Sequence, residues 1–303
     1  DVYKRQTKDS LMSSLPASAE VAGAAPALAS ETPAEAAVYR KVAWRLLPFI
    51  MACYVAAYLD RVNVGFAKLH MLADLQFSEA MYGLGAGLFF IGYFFFEVPS
   101  NMLMHRIGAK ATISRIMIMW SLISAAMMFV STPTQFYVLR FLLGAAEAGF
   151  YPGMILYMTY WFPSYRRARM VALFMCAIPV SGILGGPLSG GIMDLMQGVA
   201  GLRGWQWLFL LEAIPSMILG LAVLWYLDNG IRAARWLTEA EKTLLERNIA
   251  RENASKSDSH VTLRALFSDP RIIKMALICF CTVMGQYGLT SVSYTHLTLP
   301  TIC

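Results

Sequence analysis

Six ionisable side chains lie inside long apolar stretches of the sequence. They are Asp60, Arg61, Glu97, Arg140, Glu147 and Glu212. An ionisable group at the centre of a bilayer costs about 2.5 to 3.5 kcal/mol on insertion scales, so each one indicates a structural or functional need. Arginine offers a forked donor for carboxylates, and an acid beside it can bind or release a proton when the pairing changes. The pattern predicts a site that couples an anionic solute to protons.

The depths of these charges suggest which of them belong together. At about 1.5 Å per helical residue, Asp60 and Arg140 each lie about 9 Å from the same edge of a bilayer core of about 30 Å. Asp60, Arg61 and Arg140 are therefore predicted to share a polar cavity. Glu147 follows Arg140 by seven residues, which places it on the same helical face about 10 Å deeper.

Other interpretations of the charged residues stay open. The four charges in two stretches could form two structural ion pairs that hold helices together. Tyr58 and Asn63 flank the first pair and could hydrogen-bond a polar solute. Glu97 falls at the end of its stretch, where it is predicted to position the following loop. Glu212 stands three residues before Pro215, so it could serve function or satisfy a kinked backbone.

The composition requires lipid around these residues. The 303 residues are 57% hydrophobic and 15% charged, which excludes a soluble enzyme, a collagen and a disordered chain. Apolar runs long enough to cross a bilayer as helices begin near Leu46, Met81, Ala111, Thr134, Met170, Trp205 and Ile272. The runs are continuously apolar, whereas transmembrane strands alternate. The sequence therefore predicts an all-α membrane protein with seven spans.

The distribution of Lys and Arg predicts the direction of these spans. Basic residues concentrate in alternate connections: Arg40, Lys41 and Arg45; Arg106 and Lys110; Arg166, Arg167 and Arg169; Arg232, Arg235, Lys242, Arg247 and Arg251. The opposite connections carry only Lys68 and Arg203. The positive-inside rule then places the N-terminus in the cytoplasm. The net charge of +6 is accordingly a topology signal, and we expect no nucleic-acid partner.

The fifth run carries a cluster of small residues. Gly182, Gly186, Pro187, Gly190 and Gly191 are predicted to let helix backbones approach closely and to make the segment bendable. The five cysteines lack the spacing of a zinc site, so we expect no metal, no cofactor and no disulfide. No catalytic motif is recognisable, and we expect no enzyme activity.

Seven blocks of sequence resemble one transporter family. They are YLDRVNVGFA (58–67), PSNMLMHRIGAK (99–110), RFLLGAAEAGFYPG (140–153), GILGGPLSGG (182–191), GWQWLFLLEAIP (204–215), ARWLTEAE (234–241) and DPRIIKMALICF with GQYGLT (269–290). In this order they resemble the N-terminal half of a major facilitator superfamily transporter of the anion:cation symporter family. The resemblance implies a six-helix bundle plus a truncated seventh helix, out of twelve helices in two bundles built from inverted repeats, with the solute between the bundles.

The resemblance also implies roles for individual residues. Asp60 and Glu147 match the family's proton-coupling acids, and Arg61 and Arg140 match its substrate-binding bases. The implied activity is import of a small organic anion, such as a sugar acid, a dicarboxylate or an aromatic carboxylate, by proton symport across the bacterial inner membrane. The implied partners are that anion, the proton and the lipid bilayer, and the full-length protein is expected to be monomeric. A membrane sensor that binds the anion without moving it is the alternative.

The loop after the second run departs from the superfamily pattern. Residues 101–110 read NMLMHRIGAK, so His105 replaces the usual acid and Ala109 replaces a base. Arg106 and Gly108 retain the matching positions and are predicted to act in gating.

The predicted domain boundaries follow from the runs and the resemblance. They are a disordered or adapter-derived tail (1–37), the six-helix bundle (38–228), a cytoplasmic loop between bundles (229–270), the first helix of a C-terminal bundle that the chain otherwise lacks (271–290) and an adapter-like tail (291–303). Within the loop, Thr238 and Glu241 form a capping-box pattern that predicts a helix start.

Overall fold

A computed structural model describes residues 32–255 and 268–296 of the protein. The ten α-helices of this part of the chain are α1 (Pro33–Leu75), α2 (Glu79–Ile107), α3 (Ala109–Ala126), α4 (Pro133–Glu147), α5 (Phe150–Thr159), α6 (Ser164–Met175), α7 (Ala177–Leu195), α8 (Gly204–Tyr226), α9 (Glu239–Ser255) and α10 (Pro270–His296). Short 3-10 turns lie at Met127–Phe129, Val199–Gly201 and Ile231–Ala233. The prediction of an all-α fold is confirmed.

Six stretches are long and apolar enough to cross a bilayer. They are Pro33–Leu75, Glu79–Met104, Ala109–Phe129, Pro133–Thr159, Ser164–Leu195 and Gly204–Tyr226, which contain the first six predicted runs. The fourth combines α4 with α5, and the fifth combines α6 with α7. Helix α10 occupies the seventh predicted run.

The fourth span is broken in the middle by a left-handed glycine. Gly149 has φ +86°, and a side chain there would lie 2.6 Å from Cβ of Ser100 on α2. Glycine is the residue that tolerates both the dihedral and the close approach. The break ends α4 at Glu147 and therefore sets the position of a predicted site residue at a helix terminus.

Helices α2 and α4 pack with their backbones in close contact. A Cβ on Gly144 would lie 1.9 Å from the carbonyl oxygen of Phe89, and one on Gly92 would lie 2.3 Å from that of Phe141. Small residues at a helix crossing permit this approach. The α3–α8 pair is the other extensive contact of the bundle.

The glycines of α7 differ from the predicted packing role. Gly182, Gly186, Gly190 and Gly191 face open space within the described residues, whereas Gly185 approaches Leu59 and Phe66 of α1. Pro187 lies inside the continuous helix α7. The buried residues of α7 also repeat every four positions, but they are Ala177, Ser181, Gly185 and Ser189. The buried face of α7 is thus rotated away from the glycine repeat.

The start of α1 and the end of α10 differ from the predicted domain boundaries. Contacts divide the chain into a first unit that ends at Lys41 and a second that begins at Val42. In the first unit, α1 begins at Pro33 rather than after residue 37, because Thr32 and Glu35 cap it through reciprocal hydrogen bonds of 3.2 and 3.1 Å. In the second unit, α10 continues past Thr290 to His296. Residues 291–296 contain neither Gly nor Pro, so no helix breaker stops it there. Residues 1–31 and 297–303 lie outside the described residues.

The segment after α8 is anchored by polar contacts. The predicted capping box is confirmed: Glu241 N donates to Thr238 Oγ1 at 3.3 Å, and Thr238 N donates to Glu241 Oε2 at 2.8 Å. Arg232 Nε lies 2.7 Å from Glu246 Oε1, and this hydrogen bond lowers the pKa of Glu246. The described part of this segment thus contains the 3-10 turn Ile231–Ala233 and helix α9, whose start the capping box predicted.

The two predicted gating residues lie where α2 meets α3: Arg106 is in the last turn of α2, and Gly108 stands between the helices. Gly108 joins the helices at φ +89° and donates its N–H to Met104 O, while Arg106 is exposed. Asn229, at the start of the segment after α8, accepts a hydrogen bond from the Lys110 backbone N–H at 3.1 Å. The junction between α2 and α3 is thus connected to the segment that follows the bundle.

Candidate functional site

Helix α1 directs its polar residues toward different neighbours. Successive residues of an α-helix are rotated by about 100°, so adjacent side chains point in different directions. Asp60 is 3% exposed and faces α3 and α8, whereas Arg61 faces α4. Asn63, one turn after Asp60, is 1% exposed and lies beside Glu212 of α8. Two separate polar clusters result, one on each side of α1.

The first cluster centres on an ion pair between α1 and α4. Arg61 Nε donates to Glu147 Oε1 at 2.9 Å, and Arg61 Nη2 donates to the same oxygen. Glu147 is buried as the last residue of α4. The Arg61 guanidinium also lies 5.4 Å from the ring centroid of Tyr93. Charge-assisted bonds of this kind are stronger than neutral ones.

Arg140 lies buried near this pair with free hydrogen-bond donors. Its side chain is 3% exposed, and neither Nε nor Nη1 has a hydrogen-bond partner among the described residues. The guanidinium carbon lies 4.8 Å from the ring centroid of Phe89. Each buried donor without a partner costs about 1 to 3 kcal/mol. The geometry leaves two donors of a buried guanidinium, Nε and Nη1, available to an anionic ligand.

The second cluster centres on Asp60. Its carboxylate accepts hydrogen bonds from Trp120 Nε1 at 3.1 Å and from Ser124 Oγ at 3.0 Å, both on α3, and from Ser216 Oγ on α8. Three donors on two helices hold this acid in one position. Asp60 therefore joins α1 to the α3–α8 pair.

The arrangement corrects one prediction about the charges and bears on one alternative. Asp60 has its hydrogen bonds with α3 and α8, not in a cavity shared with Arg140. The alternative of structural ion pairs is met by one pair between α1 and α4, which joins Arg61 to Glu147. The depth estimate gave a common level for these groups but contained no information about the rotation of each helix.

The remaining predicted residues have more varied surroundings. Tyr58 meets the ring of Tyr54 edge-on, with 6.4 Å between the centroids. Glu97 is half-buried on α2, and its backbone oxygen accepts a hydrogen bond from Asn101. Glu212 is 4% exposed and accepts a hydrogen bond from Ser189 Oγ at 2.7 Å.

Sequence reasoning missed the partners of the buried acids. They are Trp120, Ser124, Ser189 and Ser216. One signal was present, because Ser216 follows Glu212 by four residues and shares its helical face. In the described part of the chain, no three His, Cys, Asp or Glu side chains gather as a metal-ligand set.

The family profile and the relatives that match this sequence indicate the same protein family. The sequence profile of the Major Facilitator Superfamily matches residues 50–300. A Pseudomonas putida protein named "Putative metabolite transport protein NicT" is 54% identical over 84% of this chain and 58% of its own length. An Agrobacterium vitis protein named "Putative tartrate transporter" is 51% identical over 84% of this chain and 57% of its own. The chain thus spans less than two thirds of these relatives, which are named as transporters and not as enzymes.

A solved structure has a related fold. A bacterial homologue of the human lysosomal transporter Spinster, in an inward-facing and occupied conformation, matches with a TM-score of 0.57 at 19% identity. The match covers 67% of this chain and 46% of that protein. It supports the helical architecture.

Proposed function

Because the chain belongs to the major facilitator superfamily, we propose that the complete protein is a secondary active transporter that imports a small organic anion by proton symport. The observation that carries this proposal is the buried Arg140 guanidinium, whose Nε and Nη1 have no partner among the described residues. A carboxylate is an anionic acceptor of the kind that such buried guanidinium donors bind. The alternating access of the family rocks one bundle against the other around a site between them.

The substrate class in this proposal is a sugar acid, a dicarboxylate or an aromatic carboxylate. A relative at 51% identity carries the name of a tartrate transporter, and tartrate is a dicarboxylate. We accordingly assign the complete protein to the anion:cation symporter family and choose tartrate as the first probe.

Charge balance links the anion to a proton at the Arg61–Glu147 pair. With Glu147 ionised, Arg61, Arg140 and Glu147 together carry one positive charge. Protonation of Glu147 removes its negative charge and releases Arg61 from the ion pair, so the site then presents two guanidiniums. A dicarboxylate matches that state, and its release would restore the ion pair as the proton leaves.

Asp60 takes a different part in the proposed coupling. It accepts hydrogen bonds from α3 and α8, so protonation would remove an acceptor from Trp120, Ser124 or Ser216 and loosen the contact between α1 and that helix pair. In this role Asp60 carries a proton without touching the anion. Asn63 lies on the same side of α1 as Asp60. Tyr58 is proposed to contribute a further polar group to the solute site.

The proposed orientation has the N-terminus in the cytoplasm and the protein in the bacterial inner membrane. The support is the excess of Lys and Arg in alternate connections. Accessibility labelling of single cysteines placed at Ser131 and at Thr243 in intact cells would test it, and labelling of Thr243 from outside would reverse the assignment.

The proposed function is tested by uptake into vesicles. The complete protein is reconstituted, and radiolabelled tartrate uptake is measured with and without an inward proton gradient. Gradient-stimulated, saturable uptake is expected. Binding of the anion without uptake would favour the sensor alternative. Neither binding nor uptake for sugar acids, dicarboxylates and aromatic carboxylates would refute the proposed substrate class.

A further inference from the structure

Helices α1 and α8 share a two-level polar contact, which we call the acid ladder. It consists of Asp60 and Asn63 on α1 and of Ser216 and Glu212 on α8. The spacings of three and four residues place each pair on one helical face. The first level is the hydrogen bond from Ser216 to Asp60, and the second places Asn63 beside Glu212. Each level therefore contains one buried acid.

The second level of the acid ladder is incompletely satisfied. Ser189 Oγ on α7 donates to Glu212 Oε1 at 2.7 Å. Glu212 Oε2 and both amide atoms of Asn63 are buried, yet they have no hydrogen bond within the described residues. Glu212 is 4% exposed and Asn63 is 1% exposed, so bulk water does not replace the missing partners. Two polar side chains thus lie beside each other in a contact that is closed to bulk water.

Glu212 is buried beside a second acid, and an ionised carboxyl group in such a place costs free energy unless a cation offsets it. Its neighbours are Ser189 on α7, Asn63 on α1 and the carboxyl of Asp60, with which it interacts electrostatically. Two adjacent ionised acids repel each other, so the pair favours a state with at least one proton. The two buried arginines lie on the other side of α1, where Arg61 pairs with Glu147 and Arg140 lies over Phe89.

A proton completes the second level with the atoms that are present. A protonated Glu212 carries one O–H donor, and Asn63 Oδ1 is an acceptor without a hydrogen bond. Asn63 Nδ2 can also donate to Glu212 Oε2 when the carboxyl group is ionised, so Asn63 can pair with either form of Glu212. The contact therefore accommodates Glu212 with and without a proton, as a site that binds and releases a proton requires.

We propose that Glu212, held by Asn63 and Ser189, is a further proton-binding site of the protein, and that its occupancy is linked to that of Asp60. The site differs from the Arg61–Glu147 pair, because it lies on the other side of α1 and contacts α7 and α8. The inference stands independently of the proposed substrate, since proton binding can be measured without transport.

Infrared difference spectroscopy tests this site directly. The complete protein is reconstituted in lipid, and spectra are compared between acidic and alkaline buffer at constant ionic strength. The carbonyl stretch of a protonated carboxyl group reports each acid that releases its proton. Glu212→Gln is expected to remove one such band. Glu97→Gln, which alters a half-buried acid on α2, is the matched control and is expected to leave that band in place.

A second variant covers the case in which Glu212→Gln does not fold. Asn63→Val removes the acceptor while the carboxyl group stays, so the Glu212 band is expected to move to higher frequency. A purely structural Asn63 would leave the frequency unchanged and would overturn the proposal.

Two further results would also overturn the inference. One is a Glu212 band that does not respond to pH. The other is a carboxylate signal that appears when sodium replaces choline at constant pH and disappears in Glu212→Gln, since it would identify an alkali-cation site. Neither result depends on uptake, so failure of this inference is distinguishable from failure of the proposed transport function.

Discussion

Replacement of Arg140 by lysine tests the proposed anion site most directly. The variant keeps the positive charge but removes the planar guanidinium, whose Nε and Nη1 donors have no partner among the described residues. A hydrogen bond to a charged group contributes about 1.5 to 3 kcal/mol, and lysine cannot place donors at both of these positions. Lysine is therefore expected to lose one such bond. Since about 1.4 kcal/mol corresponds to a tenfold change in affinity, Arg140→Lys is predicted to bind the anion about 10- to 100-fold more weakly.

The measurement is calorimetric titration of the complete protein with tartrate and with other organic acids that bind the unmodified protein. Arg203→Lys is the matched control, because Arg203 is 46% exposed and pairs with Asp74 at 3.2 Å outside the candidate site. The control is expected to keep the original affinity. Thermal unfolding of both variants shows whether the fold is retained. Equal affinities of a folded Arg140→Lys and the unmodified protein would refute the assignment of Arg140 to anion binding.

Three other outcomes follow from the geometry. Asp60→Asn and Glu147→Gln should each abolish stimulation of uptake by a proton gradient while reducing anion binding less, since neutral isosteres cannot cycle a proton; normal stimulation in both would leave only a structural role for these acids. Gly144→Ala should lower the free energy of unfolding by about 1 to 3 kcal/mol, because its Cβ would meet the Phe89 carbonyl oxygen. Gly182→Ala has open space around it and should leave the midpoint of thermal unfolding unchanged or raise it. Equal effects of the two substitutions would contradict the close α2–α4 contact. Thr238→Ala should destabilise the start of α9 by about 1 kcal/mol, because the capping hydrogen bond to Glu241 N is lost. The measurement is amide hydrogen exchange, which should be faster near Glu241 than in the unmodified protein. Unchanged exchange there would show that the capping box contributes little.

The buried charges show which features of the site follow from local sequence and which follow from tertiary structure. Apolar runs of the right length already predicted the six described stretches that can cross a bilayer, because a lipid solvent requires each span to satisfy its own backbone. The same runs identified Asp60, Arg140 and Glu147 as unusual, and all three are buried in the structure. Hydrophobicity and helical rise are local properties, so the composition and length of each apolar run are enough to reach these conclusions.

Partner choice depended on the rotation and packing of whole helices. Arg61 and Asp60 are neighbours in sequence, yet one contacts α4 and the other contacts α3 and α8. Gly149 ends α4 at Glu147, and Gly144 lets α4 approach α2. These rotations and separations arise from contacts between residues that are far apart in the chain. Sequence alone therefore determined which side chains needed partners, whereas tertiary structure decided which partners they met, because hydrogen bonds require direction as well as depth.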